Sequence, residues 1–172
     1  MSNHLIATNP RERLIDRELS WLDFNERVLQ LAEDKNIPLL ERCRYLSIFS
    51  SNLDDFYMIR VATLKRKIEN SFTKQNTAGY APIELMREIS KKSNAQISRM
   101  VSCYHDDLLP KLADNGIEMV DWSQLTQEEK QYIIKIFENR IFPILTPLAV
   151  DPSHPFPYIS GLSLNLAVLL NK

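Results

Sequence analysis

Glycine is scarce in this chain, with three residues in 172, where average usage would give about 12. Gly79, Gly116 and Gly161 stand at least 37 positions apart (79 to 116). A Walker P-loop and a GxGxxG dinucleotide fingerprint both need glycines a few residues apart, so neither exists here. Cysteine is also rare. Cys43 and Cys103 form no CxxC pair and have no histidine at ligand spacing. That argues against a disulfide scaffold or a structural zinc site, and a reducing compartment is expected. No charge of one sign dominates: 21 basic residues face 22 acidic ones, for a net charge of −1. Neither a basic nucleic-acid tail nor an acidic solvating tail fits that balance. Long apolar runs are missing too. Residues 141–150 and 164–170 are the longest apolar stretches, too short to cross a bilayer. The first ten residues lack the basic flank and apolar core of a secretory signal. A cytoplasmic protein without a nucleic-acid partner is expected, with peripheral membrane association left open.

What remains is an ordinary globular composition, 44% apolar and 25% charged, which argues against wholesale disorder. Residues 1–17 are polar and aperiodic, and read as a mobile lead-in. Ser20 followed by Asp23 predicts a capped helix start. Trp21, Leu22, Val28, Leu29 and Ala32 then form a stripe at helical spacing. Pro38 ends that helix and opens the next. There Leu39, Cys43 and Leu46 share a face, broadened by Leu40, Ile48 and Phe49. Ser50-Ser51-Asn52 favours caps over helix interiors, so a break is expected there. Leu53, Tyr57, Val61, Leu64 and Ile68 resume the helical spacing beyond it.

Residues 70–81 read as a loop. Pro82 opens a long helix with Met86, Ile89, Ser93, Ile97, Met100, Tyr104 and Leu108 on one face, limited by Pro110 and the Asn115-Gly116 turn. Beyond it, residues 117–120 read as a strand. Thr126 and Glu129 form a capping box before another helix. Pro143, Pro147, Pro152, Pro155 and Pro157 crowd into a segment with almost no charge. Residues 160–170 read as a second strand. Two isolated strands are marginal. The expected architecture is therefore mainly α: an N-terminal helical bundle over 18–115, followed over 116–172 by the truncated start of an α+β domain.

Few residues could carry chemistry. His4 lies in the lead-in. His105 stands beside Asp106 and Asp107, but neighbours at i+1 and i+2 diverge on a helix and make no metal site. His154 has no Ser or Asp partner that the sequence places beside it. Asp54 and Asp55 point roughly 100° apart if helical. They read as first-turn carboxylates at a helix N-terminus rather than as an acid–base dyad. No catalytic residue and no metal ligand is assigned. Asn52 has two readings: a plain N-cap, or an amide whose donor and acceptor match an adenine edge. Arg60, Lys65, Arg66, Lys67 and Lys74 read either as a solvated face or as an attractor of a phosphate chain.

Three blocks carry a family resemblance. They are Arg17-Glu-Leu-Ser-Trp-Leu-Asp-Phe-Asn-Glu-Arg-Val-Leu29, Arg44-Tyr-Leu-Ser-Ile-Phe-Ser-Ser-Asn-Leu-Asp-Asp-Phe-Tyr-Met-Ile-Arg-Val-Ala62, and the segment from Pro143 through Asp151, His154 and Ser160 to Val168. Together they resemble the bacterial polyphosphate kinases of the phosphohistidine-forming type. The resemblance runs from about residue 11 to the end, and implies an all-helical N-terminal domain followed by the opening of the head domain. It implies an enzyme that extends polyphosphate from ATP, with magnesium, through a histidine in later domains near an H-x-K signature, and that is a homodimer. None of His4, His105 and His154 begins an H-x-K stretch. The resemblance also places Asn52 at the position of the residue that meets the ATP adenine. The 172 residues alone are then expected to be inactive. The competing reading is a stand-alone helical module that binds a protein partner and catalyses nothing.

Overall fold

A single helical turn, α1 (Pro10–Arg13), is the first element among the described residues, 9–170, of the computed structural model. Residues 9–17 were expected within a mobile lead-in; His4 and the rest of residues 1–8 lie outside the described residues. Asn9 caps α1, its Oδ1 accepting from the Arg11 backbone N–H at 3.1 Å. The next helix, α2 (Arg17–Glu33), starts at Asp16 rather than Ser20. The Asp16 carboxylate accepts from the backbone N–H groups of Glu18 (2.9 Å) and Leu19 (3.0 Å). An aspartate cap there satisfies two orphan donors at the start of the helix.

The following rod runs without a break from α3 (Leu39–Phe56) through a π-helical turn, Tyr57–Val61, into α4 (Ala62–Glu69). Ser50, Ser51 and Asn52 lie inside α3, so the expected break there is wrong. Capping preference is local, whereas Phe49, Leu53 and Phe56 are buried at helical spacing across that point and hold the turn closed. Leu40 and Ile48, expected to widen the core face, are exposed.

The third rod comprises α5 (Pro82–Ser102), a π-helical turn over Cys103–Leu108, and α6 (Leu109–Asp114). Pro110 does not limit it. Proline lacks the N–H of a regular turn, and the wide turn ahead of it takes up the misfit. Gly116, at φ +78°, closes α6. Its N–H donates to the Ala113 carbonyl and that of Ile117 to the Leu112 carbonyl, both at 2.9 Å, the bonds of a Schellman turn.

These three rods form the first of two compact units, Met1–Met119 and Val120–Lys172. Leu22, Leu29, Phe49, Phe56, Ile89 and Leu108 are buried at its centre. Trp21 stacks on Phe56 with ring centroids 4.6 Å apart. The α2–α5 seam is polar: Arg99 donates to both Glu26 and Glu33, Lys92 meets Asp23, and Gln96 Nε2 donates to the Leu22 carbonyl at 3.0 Å. Each buried Leu or Phe is worth about 2 kcal/mol, and each solvated ion pair less than about 1. The apolar centre therefore holds the bundle and the seam fixes its register.

The second unit contains α7 (Gln127–Ile136), whose expected capping box is present. Glu129 Oε2 accepts from the Thr126 N–H at 2.8 Å, and Thr126 Oγ1 accepts from the Glu129 N–H at 3.3 Å. A π-helical turn (Phe137–Ile141) and a 3-10 turn (Phe142–Ile144) follow. The strands expected at 117–120 and 160–170 are absent among the described residues; one isolated bridge joins Asp151 and His154. An extended segment without a ladder partner leaves its backbone groups to solvent and stays irregular.

Candidate functional site

Asn52 sits three turns into α3, where Phe49 and Leu53 beside it face the core. Its own side chain is half-buried. Asn52 Nδ2 donates to Asn25 Oδ1 of α2 at 3.0 Å, and Asn25 Nδ2 donates to the Phe49 carbonyl at 3.1 Å. Asn52 is therefore neither a helix cap nor beside free N–H groups. It is an amide held at one end by the core, and no other hydrogen bond to its side chain is formed among the described residues. Asn25, fully buried, is the residue that reading the sequence missed. A lone asparagine within the apolar stripe of α2 was the available signal.

A groove of about 560 Å3 lies between the start of α2, the rod across Ile59–Lys67, and the loop over residues 70–81. It brings together Arg17, Arg60, Lys67 and Lys74. Arg60 approaches Glu18, also on the wall, at 4.0 Å. Among the described residues Arg17, Lys67 and Lys74 form no ion pair. Lys65 and Arg66 do not line the groove, and Lys65 pairs along its own helix with Glu69. The five clustered cations are thus split by the helix, with only some on one wall.

The loop wall is built to last. Asp16 Oδ2 accepts from Asn76 Nδ2 at 2.7 Å, while Asn76 Oδ1 accepts from the Tyr80 N–H at 3.0 Å. Arg11 donates through Nε and Nη2 to the Gly79 carbonyl and lies over the Tyr80 ring, 4.4 Å from its centroid. Glu84 accepts from the Ala81 N–H and from Arg11, and these partners, the backbone bond foremost, hold its carboxyl below the usual value.

The remaining candidates stay apart. Asp54 and Asp55 are exposed in the last turns of α3, not in a first turn, and do not converge. His105 is exposed. His154 does have an acidic partner, contrary to expectation: its Nδ1 lies 2.9 Å from Asp151 Oδ1. That oxygen also accepts from the backbone N–H groups of Ser153 and His154. The pair is the inside of a tight turn, and the imidazole, followed by the turn's N–H groups, holds the Asp151 carboxyl below its usual range. Among the described residues no group of three His, Cys, Asp or Glu could hold a metal ion, and no helix is long and apolar enough to cross a membrane.

Comparison with known proteins covers both units. The family described as polyphosphate kinase N-terminal domain matches residues 14–120, and that described as polyphosphate kinase middle domain matches residues 128–172. The polyphosphate kinase of Streptomyces coelicolor is 53% identical over 166 residues, which are 96% of this chain and 22% of that protein. That of Mycobacterium tuberculosis is 50% identical over 163 residues, 95% of this chain and 22% of the relative. The crystal structure of the Porphyromonas gingivalis polyphosphate kinase superposes with a TM-score of 0.69 at 32% identity, over 85% of this chain and 20% of that one. The chain thus spans about a fifth (22%) of the length of the curated relatives it matches.

Proposed function

We propose, because this chain belongs to the polyphosphate kinase family, that it acts as the N-terminal part of a kinase that transfers the terminal phosphoryl group of ATP to a growing polyphosphate chain, releasing ADP. Within that enzyme the helical unit contributes the base contact, and Asn52 is the residue that makes it. The observation that carries this reading is the state of the Asn52 amide: one N–H is engaged by Asn25, while Oδ1 and the second N–H have no protein partner among the described residues. An acceptor and a donor on one planar group match the edge of adenine.

The phosphoryl chemistry belongs elsewhere in the enzyme. None of the three histidines stands in an H-x-K stretch. The 172 residues by themselves therefore bind the base weakly and make no polyphosphate. In the full-length, homodimeric, cytoplasmic enzyme, Asn52→Ala raises the KM for ATP about fivefold, the worth of one neutral hydrogen bond of about 1 kcal/mol, and leaves histidine phosphorylation in place. An unchanged KM would remove Asn52 from the base site. Long-chain phosphate made from ATP and magnesium by the 172 residues alone would overturn their inactivity. Family matches across both units favour this reading over a stand-alone interaction module.

A further inference from the structure

We propose that Asn25 is a positioning residue: it sets which way the Asn52 carboxamide faces, and so makes the site prefer a 6-amino purine to a 6-oxo purine. This rests on the base contact proposed for Asn52. The order of donors and acceptors is forced from the core outward. The Phe49 carbonyl can only accept, so Asn25 must turn Nδ2 toward it, at 3.1 Å. Asn25 Oδ1 then faces Asn52 and can only accept, so Asn52 must offer Nδ2, at 3.0 Å. Turning the Asn52 amide over would set two oxygens against each other at a fully buried partner, leaving an acceptor there unsatisfied.

The consequence lies at the free edge. With Nδ2 tied inward, Asn52 Oδ1 is available to accept from the exocyclic amine of adenine, and the second N–H to donate to a ring nitrogen. At a 6-oxo purine the same oxygen meets another oxygen. Without Asn25, the amide is free to turn over and present its NH2 to that 6-oxo group. Asn25 touches no nucleotide and acts only through Asn52.

The test uses the full-length enzyme with ATP and inosine triphosphate, which carry an amine and an oxo group at position 6. The readout is the ratio of the two kcat/KM values, which a general loss of packing does not move. Asn25→Leu lowers the ATP preference about fivefold, largely through a better KM for inosine triphosphate. Should the leucine variant not accumulate, Asn25→Ala reports the same quantity. A wild-type ratio in Asn25→Leu, alongside a collapsed ratio in Asn52→Ala, overturns the positioning role and leaves the base contact standing. A ratio unmoved in Asn52→Ala removes the base contact, and this inference with it.

Discussion

Arg42 and Asp107 join across the bundle in an ion pair of which only the arginine is fully buried, the side chains being 2% and 26% exposed. Arg42 Nε also donates to the Ala32 carbonyl at 2.7 Å, one of the last-turn carbonyls of α2 that no helical N–H can reach. One guanidinium thus ties the end of α2 to α3 and to the wide turn before α6. Arg42→Ala is expected to cost about 3 kcal/mol, from a lost charge-assisted bond and a buried carbonyl left with only the weak Cys103 thiol donor. Arg42→Met keeps the apolar stem and is expected to cost less. Denaturant unfolding measures both, and a loss below about 1 kcal/mol in the alanine variant would mean the clamp is idle.

The same pair gives the bundle an acid limit. The Arg42 guanidinium, and then the Lys111 ammonium, hold the Asp107 carboxyl down from 3.8 to about 2. A carboxyl more acidic in the folded state than in the unfolded state stabilises the fold fully above its unfolded value, and that contribution fades as pH falls through the folded one. Asp107 should therefore cease to stabilise between about pH 4 and about pH 2. Asp107→Asn is expected to be less stable than wild type at neutral pH, with the two stability curves converging over that window. Parallel curves down to pH 2 would refute the assignment.

The apolar framework was legible in the residues. Leu22, Leu29 and Ala32 of the α2 stripe are buried, and the spacing of Leu53, Tyr57, Val61, Leu64 and Ile68 follows the rod through its wide turn. Helical periodicity is imposed by the core, so it survives reading without coordinates. Polar burial was legible only in part: Ser93 falls on the apolar face read for the third rod and Asn25 lies within the α2 stripe, but their partners do not show in the sequence. Asn25, Arg42, Ser93 and Gln96 are all buried, because each meets a partner far away in sequence: Asn25 on α3, Arg42 on the third rod, Gln96 on α2. Nothing local distinguishes Arg42 and Gln96 from surface residues. The Ser50–Asn52 break failed for the complementary reason, since a capping preference of a few tenths of a kcal/mol yields to burial of Phe49 and Leu53. The position of Asn52 came from family resemblance, whereas the Asn25 bond that restrains it required coordinates.

The two cysteines should separate cleanly in labelling. Burial pushes the Cys103 thiol up, and the carboxylates of Glu33 and Asp107 add to this against the opposing Arg42. Its Sγ faces the Ala32 carbonyl at 3.6 Å. Cys43 is half-buried on α3. Since the thiolate is the reactive form, an alkylating reagent near neutral pH should modify Cys43 in the folded protein and Cys103 about tenfold or more slowly, reaching equality in denaturant. Peptide mass mapping of a time course reads this directly, and equal native rates would contradict the buried placement of Cys103.

Ser71 and Gly116 occupy equivalent places and offer a matched pair. After α4 the Ser71 N–H donates to the Ile68 carbonyl and that of Phe72 to the Lys67 carbonyl, both at 2.9 Å. This is the same Schellman pattern that Gly116 completes after α6. Both residues are left-handed, at φ +55° and +78°, but only one is glycine. A side chain in that region costs about 1 kcal/mol. Ser71→Gly is therefore expected to stabilise the bundle by about 0.5–1 kcal/mol, offset in part by the greater freedom of glycine in the unfolded chain. Gly116→Ser should destabilise it by a similar amount. A Cβ at Gly116 would meet nothing within 4 Å, so that cost would be purely one of backbone conformation. Thermal melts of the two variants should shift in opposite directions; a shift of the same sign in both would mean that the left-handed positions do not govern how these helices end.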